Sequence, residues 1–134
     1  MPGYDSAQKC MYNFDEFTFG AAVATKTVKI TGPVGKQGRI KDAGIVVSVA
    51  TVWTSTHGKM NIGTTATPTA YGVISVPTAK AADTIVNFGN AVANAGAITL
   101  QDVPADSVVT LQFVEGVGGS IAGKGYPYVI IDWY

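Results

Sequence analysis

The sequence predicts an all-β fold, an antiparallel β-sandwich of jelly-roll-like kind with at most one short helix. Three observations predict it. Hydrophobic residues make up 47% of the 134-residue chain and charged residues 13%, about half the ~25% usual in soluble domains. The 16 glycines, with abundant Thr, Val and Ala, suit short strands joined by tight turns. Several runs alternate apolar and polar with period two, and turn signals separate them at regular intervals. A closed barrel is the second architecture these signals allow. The length suggests one domain that buries roughly two-thirds of its unfolded surface.

Residues 1–16 read as an N-terminal arm, ordered only by docking, and residues 17–134 as the sandwich domain. The arm carries Tyr4, Cys10, Met11 and Tyr12 without a clear period. Phe17 and Phe19 share one side of the first strand. In 25–31, Val28 and Ile30 face one way and Lys29 the other, and Gly32-Pro33-Val34-Gly35 makes a turn. The longest strand spans 39–52, where Ile45, Val47 and Val49 alternate with Val46, Ser48 and Ala50. Shorter strands follow at 59–63 and 71–76, separated by a polar loop at 64–69 around Pro68.

From Thr78 the pattern changes. Ala79, Lys80, Ala81, Ala82, Ile85 and Val86 suit one short helix with Thr78 as its N-cap. A strand at 97–100 leads to the last third of the chain, around which the rest is organised. There, 107–114 alternates, with Val108, Thr110, Gln112 and Val114 on one face and Val109, Leu111 and Phe113 on the other. The stretch 126–133 is apolar on both faces, as in a strand covered from two sides. The glycine-rich stretch 115–125 is expected to join the two as a hairpin. A chain ending in Trp133-Tyr134 is expected to hide that end in its own core or against a neighbour.

The totals also narrow the partners. Zero formal net charge lacks the basic footprint of a nucleic-acid binder. One cysteine, Cys10, permits no internal disulfide. The N-terminus lacks a secretory pattern, and no apolar run approaches the ~20 residues of a membrane helix. Synthesis in the cytoplasm is expected. A near-neutral chain with so few charges keeps itself in solution poorly as a monomer, which leans toward life in an assembly.

No constellation signals catalysis, a cofactor or a metal. Gly118-Gly119-Ser120-Ile121-Ala122-Gly123-Lys124 satisfies G-x-x-x-x-G-K. Gly125 then stands where Ser or Thr would hold magnesium, and Tyr126-Pro127 opens a strand, not the helix a phosphate loop needs. His57, the only histidine, has no nucleophile elbow to serve, and one His with one Cys falls short of a zinc site. The nine carboxylates are scattered. Asp132, in an otherwise apolar strand, reads as an edge charge that blocks unwanted pairing, and Asp102 and Asp106 as turn residues.

Two groups remain as partner-binding candidates. Lys26, Lys29, Lys36, Arg39 and Lys41 are five of the nine cations, gathered in sixteen residues without an acid. They form either a solvated strand face or a patch that docks on an acidic protein surface. The aromatics Trp53, Tyr71, Tyr126, Tyr128, Trp133 and Tyr134 suit core and interface anchors, or a sugar-stacking platform.

The arm, the turn Ile30-Thr31-Gly32-Pro33-Val34-Gly35-Lys36-Gln37-Gly38-Arg39 and the closing Gly123-Lys124-Gly125-Tyr126-Pro127-Tyr128 together resemble the small structural proteins of tailed bacteriophages. Within that group the chain is most similar to capsid decoration (cement) proteins and head-fibre bases of jelly-roll type. The resemblance implies a homotrimer on the capsid surface of the virion, bridging major capsid protein subunits without catalysis. The expected contacts are Tyr4, Met11 and Tyr12 of the arm, the five-cation cluster, and Trp133 with Tyr134. The alternative is a carbohydrate- or receptor-binding module of a fibre or lectin-like protein, stacking its ligand on Trp53, Tyr71 or Tyr126.

Overall fold

The alternation predicted from Arg39 onward builds the spine of the fold. In the computed structural model, which describes residues 8–19, 25–52, 58–76, 79–87, 102–114 and 122–134, that stretch is the longest strand. Ten strands and no helix occur among the described residues. In chain order they are β1 (Gln8–Asn13), β2 (Phe17–Thr18), β3 (Thr25–Thr31), β4 (Gly38–Val52) and β5 (Lys59–Gly63). There follow β6 (Gly72–Ser75), β7 (Ile85–Asn87), β8 (Asp102–Val103), β9 (Val108–Val114) and β10 (Ala122–Trp133).

They form two antiparallel sheets. The larger runs β1-β10-β4-β7, with β2 also on β10 and β8 also on β4; the smaller runs β3-β9-β5-β6. Leaving out the two-residue strands β2 and β8, the first strand pairs with the last, the second with the second-last, and so inward to β5 with β6. A ribbon of such pairs rolled into two sheets is a jelly roll.

The core lies between the sheets. Ile40, Ala43, Ile45 and Val47 of β4, with Val129 and Ile131 of β10, face Met60, Ile62, Ile74, Val109, Leu111 and Phe113 of the smaller sheet, all buried. Phe17 bridges the layers, its ring 5.2 Å from that of Phe113 and edge-on to Phe19 at 5.1 Å. Each fully buried aliphatic or aromatic side chain contributes roughly 1.5–3 kcal/mol.

Several expectations change. Residues 8–13 are not a free arm but strand β1, paired along its whole length with β10, from Gln8 opposite Trp133 to Asn13 opposite Tyr128. The stretches 107–114 and 126–133 do form strands, but not a hairpin, because β9 and β10 lie in different sheets. Asp132 is no edge charge, since β10 runs between β1 and β4.

The expected helix is also absent. Ala79 and Asp83 have positive φ, 60° and 65°, which a right-handed helix does not admit. This segment instead runs beside β4, exchanging backbone hydrogen bonds with Val47 and Thr51 before β7 begins. Those bonds supply partners along the edge of β4, and the helix-favouring alanines yield to them.

Pro127 inside a central strand has a local reason. A residue in antiparallel pairing points its N and its carbonyl to the same side, and the Pro127 carbonyl accepts from the Phe14 amide at 3.0 Å. That side is the gap between β1, which ends opposite Tyr128, and β2, which starts opposite Gly125. No ladder there asks for the missing N–H.

Candidate functional site

The outer face of the larger sheet carries three of the residues expected at a contact, Met11, Arg39 and Lys41. Along β10, Tyr126, Tyr128, Ile130 and Asp132 alternate with the inward Pro127, Val129, Ile131 and Trp133. Register sets their neighbours: Tyr126 lies opposite Val46, Val46 opposite Ile85, and Met11 opposite Ile130. Met11 is 56% exposed, Ile85 49% and Tyr126 48%. Apolar side chains therefore make a two-row strip on this face, Met11 beside Ile130 and Tyr126 beside Val46 and Ile85, with the buried Tyr128 between the rows on β10.

Polar bonds run between the rows of this strip and along its margins. The Tyr128 hydroxyl donates to Asp42 Oδ2 at 3.1 Å. Burial, then the neighbouring Asp42 carboxylate, push that phenol up to about 12. Register shifts by one residue between Ile130 and Ile131, leaving Lys41 unmatched and turning both Lys41 and Asp42 outward. Lys41 Nζ then reaches Asp132 Oδ2 at 3.9 Å. At the other end, Glu16 accepts from the Ser48 hydroxyl at 2.7 Å and lies 4.0 Å from Lys124 Nζ.

The C-terminal pair divides between inside and outside. Trp133, expected at a partner contact, is 2% exposed and belongs to the chain's own core. Its indole fills the space left by Gly32 and Gly38, where any Cβ would collide with the ring. Its N–H donates to the Tyr12 hydroxyl at 2.9 Å, so Tyr12 also turns inward. Tyr134 stays exposed, pinned by paired backbone bonds with Gln37 of 2.9 Å each. The Arg39 guanidinium sits 5.8 Å from the Tyr134 ring centre and bonds Asp102 at 3.3 Å.

The five-cation cluster is not one patch. Arg39 and Lys41 lie on the outer face of the larger sheet beside Asp102 and Asp132. Lys29 is on the outer face of the smaller sheet, and Lys36 sits in the turn between them. A run of cations along two strands of opposite layers is divided by the fold itself. The side chain of Lys26 lies outside the described residues, as do Tyr4, His57, Trp53, the strand expected at 97–100 and most of the glycine-rich stretch. Tyr71, weighed as a stacking platform, is buried.

Sequence reading set Val46 with Ser48 and Ala50, opposite Ile45 and Val47, without naming it a contact, and missed Ile85 as a surface residue because it was assigned to a helix. No group of three or more His, Cys, Asp or Glu that could hold a metal occurs among the described residues. No helix among them is long and apolar enough to cross a membrane. Comparison with protein-family models, curated proteins and solved structures finds no match for this chain.

Proposed function

We propose that the chain is a structural protein of a tailed-phage virion. In this reading it associates with copies of itself, as a homotrimer, and decorates the capsid by seating on the major capsid protein lattice. The observation that carries the reading is the strip of Met11, Ile130, Tyr126, Val46 and Ile85. Exposed apolar side chains rimmed by charged pairs are the form subunit contacts take, and a chain with 13% charged residues has little charge to keep copies apart. Jelly rolls recur in capsid and lectin domains, which supports the reading by analogy alone.

The work proposed is mass action. Many copies that bind only the assembled lattice stabilise it against heat and internal pressure without any catalytic step. The test is co-sedimentation of the purified chain with tailed-phage capsid shells across a salt series. Saturable binding that raises the shells' melting temperature supports the reading, and shells left bare at every salt concentration contradict it. Tyr126, 48% exposed, favours a second reading as a sugar-binding module. Glycan-array binding lost in Tyr126→Ala would establish that reading in place of the first.

A further inference from the structure

The outer face of the smaller sheet carries a cleft that the reading above does not use. It measures about 120 Å³ and is lined by Thr27, Lys29, Thr64, Thr65, Pro68, Thr110 and Gln112. Two cross-strand rows make its floor. Lys29, Thr110 and Gly63 lie side by side in β3, β9 and β5, and Thr27, Gln112 and Asn61 form the next row.

The wall is built, not incidental. Gly63 has no side chain, and the turn at Thr67 and Pro68 folds over it so closely that a Cβ would collide with both backbones. That turn is closed by Thr64 N to Thr67 O and Thr67 N to Thr64 Oγ1, each 2.9 Å. Thr110 at the bottom is 2% exposed.

The chemistry of the lining has a sign. Gln112 Oε1 accepts from Asn61 Nδ2 at 2.9 Å, which leaves its amide N–H groups to donate. Thr64 Oγ1 accepts from the Thr67 amide, so its hydroxyl proton is the part left over. Lys29 adds a positive charge, and the lining contains neither a carboxylate to attract a cation nor an aromatic ring to stack a sugar. The volume equals roughly four waters, room for one small group bearing several acceptor oxygens.

We propose that this cleft binds a small oxyanion of the phosphate or sulfate class. Lys29 supplies the charge, and Gln112, Thr64 and Thr110 supply directed donors. The site lies on the sheet opposite the apolar strip, so it stands independently of self-association and capsid binding.

The experiment is an NMR titration of the ¹⁵N-labelled chain with inorganic phosphate and sulfate, and with chloride at matched ionic strength as the control. Saturable shifts at the Gln112 side-chain amide and the amides of residues 64–67, absent with chloride, are expected. Lys29→Gln removes a charge-assisted bond and weakens binding about tenfold or more. Thr110→Val, of the same shape, weakens it several-fold without changing the rest of the spectrum. Linear shifts spread over lysines throughout the chain, or an affinity unchanged in Lys29→Gln, would overturn the assignment.

Discussion

The indole N–H of Trp133 donates a 2.9 Å hydrogen bond to the hydroxyl of Tyr12, joining residues 121 positions apart. The bond ties the last strand to the first, the outermost pair of the rolled ribbon. Removing the acceptor leaves a buried donor without a partner. Tyr12→Phe is expected to cost about 1–3 kcal/mol and Trp133→Ala about 3–5 kcal/mol. Urea unfolding followed by tryptophan fluorescence and circular dichroism measures both.

Gly38 and Trp133 form a second coupled pair. A Cβ at Gly38 would lie 2.6 Å from indole Cζ3, so Gly38→Ala overfills the site and costs about 1–3 kcal/mol. Combining it with Trp133→Leu is expected to cost less than the sum of the single changes, because the smaller side chain leaves room. A thermodynamic cycle with strictly additive terms would place the indole elsewhere.

Alkaline unfolding reports on Tyr128. Its phenol is pushed from 10.0 up to about 12, so the folded chain holds this proton more tightly than the unfolded one. Its contribution is therefore complete below pH 10 and lost as the pH rises through 12. Tyr12 and Tyr71 move in the same direction, burial being the largest cause for each. The urea midpoint is expected to fall across this window, and less steeply in Tyr128→Phe. An equal fall in that variant would remove Tyr128 from the account.

How much of this was legible in the sequence depends on range. Period-two alternation at Ile45 and Val47, and at Val109, Leu111 and Phe113, located β4 and β9 because each strand buries one face. Val49, expected on the face of Ile45, is instead 45% exposed beyond the register shift at Ser48. The apolar character of 126–133 marked a strand, but the expected cover on both faces is not there: β10 is flanked on both edges, and Tyr126 on its outer face is 48% exposed. Its partners were not legible. Local order favours hairpins between consecutive strands, whereas a jelly roll pairs Gln8 with Trp133. In β1, Met11 on the solvent side masks the alternation of Cys10 and Tyr12 that would have revealed a strand. The cleft was half visible: Thr110 and Gln112 stood on one face of the pattern, but Lys29 and the turn at Thr64 joined them only through pairing.

Asp106 clamps a turn to its neighbour. Its carboxylate accepts from the Gly35 amide at 2.8 Å, and its own φ is 60°, where a side chain is strained by about 1–2 kcal/mol. Asp106→Ala loses the bond and keeps the strain, and Asp106→Gly loses the bond and sheds the strain. Thermal unfolding should therefore rank wild type and Asp106→Gly close together and Asp106→Ala clearly below them.

The proposed role rests on the apolar strip of the larger sheet as a contact between copies. Sedimentation equilibrium of the wild type beside the double variant Tyr126→Lys, Ile85→Lys tests it most directly, with circular dichroism confirming that both are folded. The account predicts a wild type at three times the chain's 13.9 kDa and a double variant at the single-chain mass. A wild type that stays at the single-chain mass up to high micromolar concentration, or a double variant that assembles as before, would contradict it.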